Sequence, residues 1–250
     1  MLYGDTDSTM VLTGVDNVDD AVKIGIELQK KLNNSYMEFA RQFGHVDEHY
    51  FSIKLEKVYK KWLQPGVKKR YAGWVVWKDG KYIDEYKHKF DIKGFEIRRS
   101  NAAEITKEVQ MKVIELLLTE GTNSMANYLR QIYTMVKEGH IDIEKLGIPT
   151  GYNSTGANSI HVRAVRNSEK LYGIEFMRGD KIKYYFTKMS GYDVIAFKRD
   201  DKVPDDVKEV IDLDRHIDRT IISPIKPILE VVGMENFFSS IGSRSLFDFE

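Results

Sequence analysis

Tyr3-Gly4-Asp5-Thr6-Asp7-Ser8 (YGDTDS) stands at the head of the chain and runs into the apolar, β-leaning Thr9-Met10-Val11-Leu12. If the segment is extended, period-2 alternation sends Asp5 and Asp7 to one side and Thr6 to the other. Gly4 permits a tight turn between two short strands, with the acids at its tip. Two carboxylates so close repel each other and are costly at a partly buried tip unless a cation joins them. Oxygen ligands with open positions suit Mg²⁺, which keeps waters and takes substrate phosphates as its remaining ligands. A bare pair of acids in this company also reads as an Asp-rich surface turn, since Gly, Asp, Thr and Ser all favour turns. The whole hexapeptide before an apolar strand is far more specific.

The 250 residues allow one large domain or two small ones, and 42% hydrophobic content is enough for a packed core. The chain has no cysteine, which excludes a disulfide scaffold and Cys-ligated zinc or iron–sulfur sites and fits a reducing cytoplasm. No apolar run approaches about 18 residues and no signal pattern opens the chain, so a soluble protein without membrane contact is expected. The 38 basic and 38 acidic residues cancel, yet they are unevenly spread. Residues 52–72 carry Lys54, Lys57, Lys60, Lys61, Lys68, Lys69 and Arg70 against Glu56 alone, a net +6. Residues 200–219 carry eight acids and four bases, a net −4. Such polarity is the footprint of a polyanion-binding surface.

Asp16 to Asp20 reads as a turn and cap for a helix from about Val18 to Phe43, closed by Gly44. The His45–His49 loop holds two histidines and two acids, but at no defensible zinc spacing. From Phe51 the texture turns to strands, with Asp79-Gly80 a type I′ hairpin signal. Placed on one strand, Lys69 and Tyr71 would face one way and Lys68 and Arg70 the other, one pair able to meet phosphates and the other packing or bracing. Asn101 and Glu104 suggest a capping box for a helix with the stripe Ile105, Val109, Val113, Ile114, Leu116 and Leu117. A second helix is expected from Asn123 to Lys137, a short turn at 142–146, and a last helix from Ser223-Pro224 to Gly233. Residues 147–159 read as a polar loop.

YGDTDS resembles motif C of the family B DNA polymerases. The order and spacing of Lys54-Leu55-Glu56, Tyr59-Lys60 and Lys68-Lys69-Arg70-Tyr71-Ala72 are similar to those of the archaeal members, whose KKRY-like motif grips the primer–template at the palm–thumb junction. The EIRR run ending in Arg98 and Arg99, and Gly179-Asp180 before Ile182 and Tyr184, resemble that family's thumb. The resemblance covers essentially the whole chain but only the last third or so of such a polymerase.

It implies an α+β fold: the C-terminal part of the palm (1–95, antiparallel strands plus a helix), a mainly helical thumb (96–235) and a tail (236–250). It implies a DNA-directed DNA polymerase acting on primer–template DNA and dNTP. Asp7 matches the direct Mg²⁺ ligand of a two-metal site, Asp5 its supporting neighbour, and Glu56 another acid near the metals. Lys60, Lys68, Lys69, Arg70, Tyr71, Arg98 and Arg99 would face DNA. Leu246 and Phe249 keep two positions of a sliding-clamp peptide whose glutamine and last aromatic are here Ser243 and Glu250. Motif A, the fingers and the exonuclease are missing, so a larger polymerase subunit is expected as partner. Met1 directly before YGDTDS suggests the small subunit of a split archaeal-type enzyme, cytoplasmic and nucleoid-associated, with a fragment of a longer polymerase equivalent in sequence. A non-catalytic DNA-binding module keeping the palm–thumb shape is the alternative from a different class.

Overall fold

Gly4 closes a two-residue strand, β1 (Tyr3–Gly4), that pairs antiparallel with β2 (Thr9–Met10) in the register Tyr3↔Met10 and Gly4↔Thr9. The computed structural model describes residues 1–87, 89–153 and 159–243. Leu246 and Phe249, and with them the clamp peptide, lie outside these.

The Asn17 side chain starts α1 (Val18–Phe39) by accepting from the amides of Asp19 and Asp20, and those two acids favour the positive end of the helix dipole. The helix then widens into a π-turn, Ala40–Gly44. The residue that stops it is His45, in the left-handed region at φ 52°, one position beyond the glycine expected to do so. A sheet follows, built of β3 (Lys57–Leu63), β4 (Tyr71–Lys78), β5 (Lys81–Tyr82) and β6 (Phe90–Lys93), in which β4 pairs with each of the other three. Central position explains why Ala72 and Trp74–Trp77 are all buried, a run apolar on both faces. Asp79 and Gly80 have φ 48° and 85°, the two positive angles a type I′ hairpin needs. The β3–β4 register slips around Tyr59 and Lys60, and Gly73 accepts the ring of Tyr59 where a Cβ would come within 2.8 Å of its Cε1.

These elements belong to the first of two units, Met1–Leu63 with Tyr71–Ile92; the second is Gln64–Arg70 with Lys93–Glu250. In the second unit α2 (Glu104–Thr119) and α3 (Thr122–Lys137) form a helical pair whose connection turns at Gly121, φ 100°. The capping box does not form: α2 begins three residues later than Asn101, with Ala103 as a cap that offers no side-chain hydrogen bond. Leu118, rather than Leu117, completes its buried stripe with Ile105, Val109, Val113 and Ile114.

Residues 147–159 are not simply a loop. Ile148–Gly151 is β7, antiparallel to β8 (Lys181–Phe186), and α4 (Ile160–Tyr172) lies between them in sequence. β8 in turn pairs with β9 (Val194–Lys198). Both faces of this sheet are covered. Ala164 and Val165 of α4 pack on Ile182, Tyr184, Phe186 and Val194, while Val207 and Ile211 join Tyr185, Ile195 and Phe197 on the other side. The second unit therefore holds a three-stranded sheet besides its helices. The chain continues through α5 (Asp205–Val210), α6 (Leu213–Ile217), a π-turn (Asp218–Ile222) and α7 (Ser223–Val231). One more helix, α8 (Phe237–Ser243), follows the one expected to be last. Among the described residues no helix is long and apolar enough to cross a membrane.

His216 is wholly buried, and its Nε2 accepts from the Phe186 amide at 2.9 Å. Burial holds its pKa down to about 4, against the pull of Asp212. The neutral ring thus stabilises the fold above the ordinary histidine value of about 6.5. That contribution is lost as pH falls from 6.5 towards 4, to a total on the order of 3 kcal/mol. Melting curves from pH 7 to 4 should show a steeper loss for the native chain than for His216→Gln. Parallel profiles would exclude His216 as the acid-sensitive group.

Candidate functional site

The acids of YGDTDS sit in the turn between β1 and β2, not on an extended strand, so alternation does not orient them. The turn is closed by the Asp5 amide donating to the Ser8 carbonyl at 2.9 Å, and Leu2 donates to Met10 at 2.8 Å behind it. Asp5 Oδ1 accepts from the Thr6 amide at 2.8 Å and from the Thr6 hydroxyl at 3.3 Å. Its carboxylate therefore holds the tip in shape. Asp7 is exposed and has no hydrogen-bond or ion-pair partner among the described residues, which leaves both its oxygens for an incoming ligand.

Aromatic rings join this turn to the sheet. Tyr3 lies 5.8 Å from Tyr71 and 6.5 Å from Trp62 between ring centres, and Trp62 stacks on Tyr71 at 4.5 Å. Tyr59 meets Trp62 edge-on at 5.0 Å. Burial first, then the charges of Asp91, Tyr3, Asp5 and Glu56, push the Tyr71 phenol up to about 12, so it is a protonated donor at neutral pH. Asp91 accepts from Lys57 at 2.6 Å and from the Tyr59 hydroxyl at 2.9 Å. Nothing in the sequence around Asp91 marked it, because its partners are about thirty residues away.

The basic residues divide into two kinds. Lys68 and Lys69 are exposed, but they lie in the connection between β3 and β4, with Lys69 left-handed at φ 60°. The alternating-strand arrangement expected of them does not occur; of KKRY only Tyr71 is on a strand. Pro65-Gly66 just upstream is the sequence signal for this connection. Arg70 turns inward: its guanidinium is 3.0 Å from Glu96, and these side chains are only 12% and 16% exposed. Lys60 is exposed with its Nζ 4.9 Å from the Trp74 ring centre. Arg98 is exposed in a 3₁₀ turn, and Arg99 is half-exposed at 3.6 Å from Glu96. Glu56 is exposed.

Among the described residues no group of three acids or histidines could enclose a metal. The turn offers two carboxylates, and any further protein ligand has to come from elsewhere. Two oxygen donors with open positions fit Mg²⁺.

The family model for DNA polymerase family B matches residues 1–232. The chain is 30% identical over 259 residues to DNA polymerase 2 of Aeropyrum pernix, with all of this chain and 28% of that one covered. It is 28% identical over 255 residues to the DNA polymerase of Archaeoglobus fulgidus, covering 93% of this chain and 28% of the relative. Among solved structures it is similar to the family B DNA polymerase of Pyrobaculum calidifontis, with a TM-score of 0.55 at 20% identity over 92% of this chain and 29% of that one. The chain thus spans little more than a quarter of the length of the relatives it matches.

Proposed function

The chain belongs to DNA polymerase family B, and from that premise we propose that it supplies the C-terminal palm and the thumb of a DNA-directed DNA polymerase. The palm portion takes residues 1–95 and the thumb residues 96–235, on primer–template DNA and dNTP as substrates. A larger chain carrying motif A, the fingers and the exonuclease completes the enzyme. The single observation that carries this reading is the YGDTDS turn: two exposed carboxylates, one braced and one open, with no third metal-binding group beside them among the described residues.

Asp7 would hold Mg²⁺ directly, and Asp5 would keep the turn in the shape that presents it. Bound there with ligands from the larger chain, Mg²⁺ supplies charge neutralisation for phosphoryl transfer. Tyr71, fixed against Tyr3 and Trp62, sets the position of the turn relative to the strand that carries it. Lys68, Lys69, Arg98 and Arg99 present cations to the duplex backbone, with Arg70 holding the Lys68–Lys69 turn through Glu96, and Lys60 supplies a further cation. The C-terminal Leu246 and Phe249 would add a weak clamp contact.

The grip on DNA is testable with this chain alone. Each phosphate neutralised contributes about −0.9 to the slope of log K against log salt on duplex DNA. Arg98→Ala and Arg99→Ala should each flatten the slope by about one unit and weaken all sequences alike. Salt titrations of primer–template affinity read this directly. Slopes unchanged in both variants would place Arg98 and Arg99 away from the DNA.

A further inference from the structure

Lys69 is a non-glycine residue held at φ 60°, a conformation that persists only where its surroundings impose it. Those surroundings are specific. The Arg70 amide donates to the Val67 carbonyl at 3.2 Å, which closes the turn. Gly94, itself at φ 74°, lies against the Lys69 carbonyl and the Arg70 backbone, where a Cβ would come 3.0 Å from Arg70 Cα. The Arg70 guanidinium sits 5.5 Å from the Phe95 ring centre and reaches Glu96 Oε1 at 3.0 Å.

Glu96 is held in its turn. Its Oε2 accepts from Gln110 Nε2 at 2.7 Å. Gln110 is fully buried on α2, also donates to the Pro224 carbonyl at 3.1 Å, and accepts from the Ile97 amide at 3.2 Å. Both carboxylate oxygens are therefore committed, one to the basic turn and one to the helical core. A mostly buried ion pair of this kind is strongly sensitive to loss of one partner.

We infer that Glu96 is the positioning residue of the Lys68–Lys69 turn, fixing it through Arg70 while Gln110 fixes Glu96 to α2 and to the start of α7. The inference rests on the proposal that this turn meets the primer–template, and it makes a prediction of unexpected sign. Glu96 is an acid within a basic cluster, with Arg99 at 3.6 Å from the same oxygen that Arg70 uses. If it acted only through its charge, removing it would tighten DNA binding. As a positioning residue its removal loosens the turn and weakens binding.

The test is a double-mutant cycle read by fluorescence anisotropy of the full chain with a primer–template duplex, using Lys69→Ala, Glu96→Gln and the two combined. Each single change is expected to weaken binding about fivefold, and the combination to be little worse than either, because both remove the same contact. Gln110→Met, which keeps the net charge and frees Glu96, should weaken binding in the same direction. It also decides the matter if circular dichroism shows that Glu96→Gln does not fold. Unchanged binding by Lys69→Ala would overturn the DNA-facing turn itself. Weakened binding by Lys69→Ala beside unchanged, tighter or additive binding by Glu96→Gln would overturn the positioning role and leave the DNA reading standing. Where only Gln110→Met folds, binding equal to the native chain's would overturn the role.

Discussion

Asp7→Ala, in the chain assembled with the larger chain proposed above, is expected to lower primer extension by on the order of a thousandfold or more. On the role proposed for Asp7, the substitution would remove a metal ligand from a two-metal phosphoryl transfer, which is worth several kcal/mol of barrier at about 1.36 kcal/mol per decade. Protein stability should hardly change, because Asp7 is exposed and makes no hydrogen bond or ion pair within the described residues. Asp5 should behave differently. Its carboxylate accepts from the amide and hydroxyl of Thr6, so Asp5→Asn keeps an acceptor for the turn while Asp5→Ala loses it. The expected order of activity is native, Asp5→Asn, Asp5→Ala, Asp7→Ala. The chain alone should extend no primer, and adding the larger subunit should restore Mg²⁺-dependent synthesis. Near-normal extension by assembled Asp7→Ala would sink the assignment of the turn.

How much of this was legible in the sequence depends on the range of the interaction concerned. The type I′ hairpin at Asp79-Gly80 and the start of α1 at Asn17 are local events, decided by a few neighbouring φ angles and one side-chain acceptor, and both were readable. The YGDTDS turn was readable for the same reason, although its acids lie in the turn and not on a strand face. The roles within KKRY were not. Whether Arg70 points out or in depends on Glu96 and Gln110, which lie 26 and 40 positions further along the chain. Their pairing leaves no periodic trace. The strand β7 was hidden for a related reason: Pro149 and Gly151 argue against a strand, and only pairing with β8 makes Ile148–Gly151 one. The buried His216 likewise sits in a segment that the sequence marks only by its net charge of −4. The folded chain instead packs its apolar residues, Val207, Ile211 and Ile217, inward.

Disruption of the α1 surface should abolish assembly with the larger chain. A 22-residue helix in a finished domain buries a continuous stripe, yet in α1 only Ala21 and Val22 are buried. One face is engaged: Gln29 accepts from the Leu55 amide at 2.7 Å, and Asn33 holds both the amide and the carbonyl of Ile53. Beside it Leu28, Leu32 and Phe39, spaced four and seven residues apart and so on one stripe, are 38%, 43% and 54% exposed, and Phe43 follows at 64%. Val11 and Leu12 after the YGDTDS turn are exposed as well, and a two-stranded β1–β2 pair leaves open edges. So much uncovered apolar surface marks an interface, and a palm completed by another polypeptide would bury it in a contact above about 2,000 Å². Truncating one central anchor of such a contact costs about 2 kcal/mol or more. Leu32→Asp with Phe39→Asp should therefore weaken assembly by on the order of a thousandfold while the sheet and the second unit keep their fold. Sedimentation of the chain with the larger polymerase subunit measures it. A native chain that stays monomeric beside that subunit, or a double variant that assembles as well as the native one, would mean that this face is not where the missing part of the palm belongs.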